Sequence, residues 1–152
     1  MAKNLKSVNE ILDFAIKREE EAVKFYKGLA RKVDRPWMKE TLDDFAREEQ
    51  GHKAKLQAVK KGKLLLSATE KVADLKIGDY LVDVEPTRDM NYQQILILAM
   101  KKEKAAFKLY TDLAASTDKA ELRVTLLSLA NEEAKHKLRL EVEYDDYVMK
   151  EN

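Results

Sequence analysis

The sequence predicts an all-α fold in which two repeated helical hairpins, joined by a long crossover, form a four-helix bundle. Only 4 Gly and 2 Pro occur in 152 residues, and this composition favours long helices over sheets. Apolar residues recur at three- and four-residue steps in four separate stretches. Residues 99–140 also match residues 15–56 without a gap. We therefore expect one domain over residues 1–152, the usual outcome for a chain of this length.

The first hairpin is predicted over residues 7–61. Its first helix begins at Ser7 and carries one apolar stripe, which is interrupted by the carboxylate of Glu19. The segment Asp34-Arg-Pro36 ends this pattern, and Pro36 suits the first turn of a second helix that runs to about Lys61. Because the connection is short, the two helices should be antiparallel neighbours.

Residues 62–89 lack a sustained helical period and contain Gly62, Gly78 and Pro86. Ser67-Ala-Thr-Glu70 has the form of a capping box that could open a short helix. The segment is long enough to run the length of a bundle, and its apolar content suggests that it packs there. We interpret it as the long crossover of a ferritin-like fold rather than as a disordered linker.

The second hairpin is predicted over residues 90–149. Its first helix begins near Asp89, and Asp118-Lys-Ala-Glu121 is a plausible cap for the last helix, which continues toward Tyr147. The repeat relates the two hairpins residue by residue. A pseudo-twofold arrangement is its simplest consequence.

Composition excludes several classes of function. The chain has no Cys, so it has no disulfide, no thiolate zinc site and no Cys-ligated iron centre. Its 29 basic and 28 acidic side chains nearly cancel, which gives no general attraction to nucleic acid or to an anionic membrane. No apolar run approaches the ~20 residues that span a bilayer, and the N-terminus lacks the apolar core of a signal peptide. We expect a cytoplasmic protein with no nucleic-acid or membrane partner.

Both histidines of the chain lie in the same motif, Glu-x-x-His. On a helix this spacing places a carboxylate and an imidazole on one face, one turn apart. A further glutamate precedes each motif by thirty residues, also in a helical stripe. One copy alone would more often be a solvated helix face, but the doubled pattern matches the ligand set of a dinuclear carboxylate site in a four-helix bundle. The predicted metal ligands are Glu19, Glu49, His52, Glu103, Glu133 and His136.

This oxygen-rich set of ligands suits iron or manganese better than copper, and zinc remains an alternative. Six side chains leave coordination positions open for dioxygen or peroxide. Tyr26 and Tyr110 lie two turns after Glu19 and Glu103 on the same faces, so their hydroxyls could bond ligand carboxylates and orient them. The alternative is that both are core aromatics with hydroxyls at the surface.

These motifs resemble the ferritin-like domain of the rubrerythrins, whose halves carry Ala-x-x-x-Glu with a later Tyr, then Glu-x-x-His. Here they are Ala15-x-x-x-Glu19 with Tyr26 and Ala99-x-x-x-Glu103 with Tyr110, followed by the two Glu-x-x-His motifs. The resemblance covers nearly the whole chain. It implies two iron ions that react with hydrogen peroxide or dioxygen, in a homodimer.

Two features differ from typical rubrerythrins. Ala106 occupies the position of a further Glu on the third helix, so the ligand exchange associated with that Glu does not carry over. A Cys-free chain also has no rubredoxin-like iron domain, so an external electron donor such as a rubredoxin is required.

Three functions therefore compete. The first is a di-iron oxidoreductase that reduces peroxide or dioxygen. The second is a ferritin-like protein that oxidises and stores iron, and the third is a helical module with a structural metal site. Molecular mass would separate a dimer from a storage shell.

Overall fold

The computed structural model describes residues 4–63, 71–76, 90–117 and 119–151. These residues divide into two compact units, one within Asn4–Leu75 and the other within Lys76–Asn152. Each unit is built around one pair of long helices.

The first hairpin consists of helix α1, Val8–Lys32, and helix α2, Pro36–Ala58. Pro36 occupies the first turn of α2, where its missing N–H has no helical acceptor to lose. A π-helical turn, Val59–Lys63, continues α2. The predicted bounds of both helices are confirmed to within two or three residues.

The second hairpin consists of helix α3, Tyr92–Ala115, and helix α4, Ala120–Glu151. A reciprocal cap opens α3: the Gln94 N–H donates to the Asn91 side chain at 2.8 Å, and the Asn91 N–H donates to Gln94 Oε1 at 2.9 Å. The helix therefore begins three residues later than predicted. Asp118, the predicted cap of α4, lies outside the described residues.

Two short strands occur outside the helices in the part of the chain that the structure describes. Strand β1, Asn4–Ser7, pairs with strand β2, Lys71–Lys76, in a two-stranded sheet. The proposed capping box at 67–70 lies outside the described residues, but the segment directly after it is a strand and not the short helix suggested by the sequence. Ser7, the predicted start of α1, is the last residue of β1.

Apolar stripes fill the space between the helices of each pair. In α2 the buried stripe is Met38, Leu42, Phe45, Ala46, Leu56 and, one residue beyond the helix, Val59; in α4 it is Leu122, Leu126, Leu129, Ala130 and Leu140. The first five positions of α2 match those of α4 in order, at the offset of the repeat. Each stripe is interrupted by one Glu-x-x-His motif, which is thereby held inside an apolar surface.

The connected end of each hairpin is fastened in the same way. Lys39 Nζ donates to the Ala30 carbonyl at 3.1 Å, and Arg123 Nε donates to the Ala114 carbonyl at 3.3 Å. Each cation thus binds a carbonyl near the C-terminus of the preceding helix, where helical partners run out. The repeat therefore extends from the sequence to the connection between the helices.

Candidate metal centre

The first hairpin brings Glu19, Glu49 and His52 together in its interior. His52 Nδ1 lies 3.2 Å from Oε2 of Glu19 and 2.9 Å from Oε1 of Glu49. The three residues are at most 4% exposed, and their donor atoms all lie within 4.8 Å of one another. We call this set the α1–α2 triad.

Helical register separates the triad from its acidic neighbours. Glu48 is exposed, and the half-buried Glu20 pairs with Lys53 at 3.3 Å on the outer surface. Adjacent helical residues differ by about 100° in direction, so a glutamate one position away from a triad member leaves the buried face. This is why a chain rich in glutamate places only particular ones in the interior.

The second hairpin brings Glu103, Glu133 and His136 together in the same pattern. His136 Nδ1 lies 2.9 Å from Oε2 of Glu103 and 3.6 Å from Oε1 of Glu133. All three residues are at most 3% exposed, and their donor atoms also lie within 4.8 Å of one another. We call this set the α3–α4 triad. Each predicted ligand therefore lies in one of two buried triads, each within a single hairpin.

The spacing of the donor atoms tests whether a metal fits each triad. Donors bound to one divalent ion at about 2.1 Å lie roughly 3 Å apart when they subtend a right angle. The Nδ1-to-oxygen distances of 2.9–3.6 Å correspond to this separation. Carboxylates so fully buried are also costly unless a cation or a proton neutralises them. Both the geometry and the charge of each triad fit a bound cation.

The electrostatics of the α1–α2 triad favour a positive charge on His52. Burial by itself would lower the pKa of His52, but hydrogen bonds and Coulombic attraction to Glu19 and Glu49 outweigh it and raise the pKa to about 10. At neutral pH the imidazole is therefore protonated. A metal ion that binds Nδ1 must displace this proton.

The two predicted tyrosines are both in the interior. Tyr26 and Tyr110 are each 1% exposed, and the Tyr26 ring meets the Phe45 ring edge-on at 5.3 Å. Their burial argues against the alternative in which the hydroxyls reach the surface. A bond from either hydroxyl to a ligand carboxylate stays a prediction.

Sequence reasoning missed one buried carboxylate, Glu143, which is 5% exposed in α4. It follows His136 by seven residues, two helical turns along the same face, and this spacing could have identified it. Its position within the acidic run Glu141-Val-Glu-Tyr-Asp-Asp146 made it resemble a solvated residue.

Comparison with known proteins gives one family and two related structures. The family model described as Rubrerythrin matches residues 10–144. A crystal structure from Thermotoga maritima, described as a ferritin-like diiron-carboxylate protein, is 22% identical with a TM-score of 0.78, covering 93% of this chain and 96% of that one. A hypothetical protein from Pyrococcus furiosus is 29% identical with a TM-score of 0.68, covering 90% of this chain and 87% of that one. No curated protein gives a significant match.

The structural similarity confirms the predicted fold class, a ferritin-like four-helix fold of two hairpins joined by a crossover. The strand β2 is the detail that the all-α prediction did not include. Within the described part of the chain, none of the helices has the length and apolar character needed to cross a membrane.

Proposed function

The chain belongs to the rubrerythrin family, and we propose that it is a di-iron carboxylate oxidoreductase that reduces hydrogen peroxide or dioxygen. The observation that carries this proposal is the pair of buried triads, in each of which a histidine Nδ1 faces two glutamate oxygens. A buried cluster of oxygen donors with one imidazole is a set of ligands that iron or manganese accepts readily.

In this proposal the α1–α2 triad and the α3–α4 triad together hold two iron ions. The internal repeat and the ligand pattern of ferritin-like carboxylate proteins support this pairing. When bound, such ions supply open coordination positions and the electrons that peroxide or dioxygen takes up. Four ionised carboxylates would balance the charge of two divalent ions.

The surrounding residues have distinct roles in this proposal. The apolar stripes beside the triads exclude bulk water, which strengthens electrostatic interactions inside the site. The small side chains of Ala15 and Ala99, both fully buried, leave room beside the ligand glutamates. Tyr26 and Tyr110 would orient ligand carboxylates through their hydroxyls.

The chain must receive its electrons from another molecule. It has no Cys and therefore no thiolate-ligated redox centre of its own. We infer an external one-electron donor such as a rubredoxin, and a homodimer in the cytoplasm as the working assembly.

Stopped-flow oxidation of the iron-loaded, reduced protein by hydrogen peroxide tests this function. Glu103→Ala should abolish rapid oxidation, because it removes a ligand that faces His136 at 2.9 Å. Glu132→Ala is the matched control, since Glu132 is half-buried and adjacent to the ligand Glu133 but is turned about 100° away from it. The two variants are compared at equal iron content.

Equal oxidation rates in these variants would reject the assignment of the centre. A wild-type protein that assembles as a large shell and retains the oxidised iron would favour ferritin-like iron oxidation and storage. Failure to bind iron at all, with tight zinc binding, would favour a structural site.

A further inference from the structure

The two hairpins differ at one buried position of the ligand-bearing face. Val59, which is 1% exposed, follows His52 by seven residues, and Glu143 follows His136 by the same number. Tyr92, at the start of α3, corresponds to Val8 at the start of α1. Two apolar positions of the first hairpin are thus replaced by a phenol and a carboxylate in the second.

These two replacements contact each other. Tyr92 Oη donates to Glu143 Oε2 at 2.7 Å, and Arg139 Nη1 lies 3.8 Å from Glu143 Oε1, where it supplies a compensating positive charge. The Tyr92 ring meets the Tyr147 ring edge-on with centroids 5.0 Å apart. A short charge-assisted hydrogen bond therefore joins a half-buried phenol to a buried carboxylate, and a second phenol lies beside it.

Packing alone gives no reason for this arrangement. The first hairpin fills the equivalent position, just after α2, with Val59, whereas a buried carboxylate must be compensated for its lost hydration. The carboxylate provides a hydrogen-bond acceptor for the phenolic proton, which valine cannot do. Loss of that proton is what makes a phenol easy to oxidise by one electron.

We propose that Tyr92 is a one-electron donor whose proton passes to Glu143, with Tyr147 as the next donor. In the first step Tyr92 gives one electron to a strong one-electron oxidant, its O–H bond breaks, and the proton forms an O–H bond at Glu143 Oε2. In the second step Tyr147 reduces the Tyr92 phenoxyl, which takes its proton back from Glu143, while Tyr147 loses its own proton to water. The first step removes one electron and one proton from Tyr92, and the second removes one electron and one proton from Tyr147.

The oxidant in the working protein is the peroxide-treated metal centre, and in this respect the relay rests on the proposed function. Glu143 lies about 10 Å along the helix axis from His136, since the two residues are seven positions apart on α4. The Tyr92 hydroxyl bonds to Glu143 at 2.7 Å and therefore lies at a comparable position along this axis. The relay would return electrons to an over-oxidised centre when no external donor is bound.

The test uses metal-free protein, so its result does not depend on iron chemistry. A laser flash in the presence of tris(bipyridyl)ruthenium and a quencher generates a one-electron oxidant, and phenoxyl formation is followed by its absorbance. Trp37, the single Trp and half exposed, is replaced by Phe in every sample to remove a competing donor. The variants are Tyr92→Phe, which keeps the ring against Tyr147, and Glu143→Gln, which keeps the size of the side chain.

Tyr144→Phe is the matched control, because Tyr144 lies on the same helix near Tyr147 and accepts a hydrogen bond from Gln93 at 3.4 Å instead of facing a carboxylate. We expect rapid phenoxyl formation whose rate is independent of buffer concentration and is slower in D₂O. Tyr92→Phe should abolish this phenoxyl formation, and Tyr144→Phe should preserve it. Glu143→Gln should slow it on the order of a hundredfold, as expected for loss of a positioned proton acceptor. Helical circular dichroism would establish that each variant is folded.

Equal losses of phenoxyl in Tyr92→Phe and Tyr144→Phe would overturn the proposal, as would an unchanged, buffer-dependent rate in Glu143→Gln. In iron-loaded protein treated with peroxide, electron paramagnetic resonance should show a tyrosyl radical that Tyr92→Phe removes. A normal peroxide reaction with a radical that survives Tyr92→Phe would exclude the relay but not the proposed function. Absence of any reaction with peroxide or dioxygen would reject the proposed function and leave the flash experiment to decide the chemistry of the pair.

Discussion

The two hairpins are alike at their connected ends and at their triads, and they differ at their open ends, where α1 and α3 begin. Lys39 and Arg123 make the same bond to the preceding helix, and both histidines face two glutamate oxygens through Nδ1. At the open end, valine in one hairpin corresponds to the Tyr92–Glu143 pair in the other. The two hairpins thus present the same set of donor groups, whereas among the described residues the part-buried phenol–carboxylate pair occurs in the second hairpin alone.

Removal of a histidine from either triad should have the largest effect. His52→Ala and His136→Ala should each release at least half of the bound metal, and each should weaken metal binding by more than the roughly 10–100-fold typical of residues that only orient a ligand. Elemental analysis per folded chain is the measurement, with exposed Gln50→Ala and Lys135→Ala as controls on the same helices. Full metal occupancy in either histidine variant would show that this histidine is not a metal ligand and that the two triads are not equivalent.

Metal removal should have the next largest effect and should depend on pH. A bound metal at a thousandfold excess over its Kd stabilises the fold by about 4 kcal/mol. In the metal-free protein, the raised pKa of His52 stabilises the fold fully below about pH 6.5, and this contribution is lost as the pH rises toward 10. Metal gains affinity over the same range because it no longer competes with the proton.

Chemical denaturation of the metal-free and metal-loaded protein between pH 6 and pH 10 measures this difference. The gap between the two free energies of unfolding should widen as the pH rises. A gap that is constant with pH, or absent, would contradict a buried metal site at His52. His52→Gln should remove the part of the metal-free pH dependence that belongs to this residue.

Loss of one member of the Tyr92–Glu143 pair should lower the free energy of unfolding more than loss of both members. Glu143→Val leaves Tyr92 without this acceptor and should destabilise the fold by about 1–3 kcal/mol. Tyr92→Phe combined with Glu143→Val should recover much of this loss, because it restores the apolar character found in the first hairpin. Urea denaturation of both single variants and the double variant gives the coupling energy, and additive losses would show that the pair does not act as a unit.

Substitutions at the connected ends should lower the free energy of unfolding least. The losses in the two hairpins should also be nearly equal. Lys39→Ala and Arg123→Ala each remove a bond to a helix-terminal carbonyl and should cost about 0.5–1.5 kcal/mol. Exposed Lys55→Ala is the control and should change little. Losses that differ strongly between the two hairpins would show that their connections are not energetically equivalent.

The helices and the triads could be predicted from the sequence because both rest on local spacing. A three- and four-residue apolar period fixes which face is buried, and Glu49 and His52 are placed on that face by the same period. The repeat then predicts the second triad from the first.

The missed features depend on distant partners or on one side chain. Lys71–Lys76 is a strand because it pairs with Asn4–Ser7, more than sixty residues earlier, and its own sequence contains little strand signal. Glu143 lies just beyond the last matched residue, Leu140, so the repeat was not extended to it. The reciprocal cap of Asn91 and Gln94 has the sequence form Asn-x-x-Gln, which locates the start of α3 more closely than the apolar period does.

The three residues of each triad lie within a single hairpin, and we expect this to affect the order in which the protein folds. Glu19 and His52 are joined through one short connection, so their contact closes a modest loop and can form early in the folding reaction. We therefore expect a hairpin with a formed triad to bind a metal ion before the rest of the chain has folded. In this way metal availability during synthesis would act on the folding pathway as well as on the finished protein, and refolding with and without iron should differ in rate.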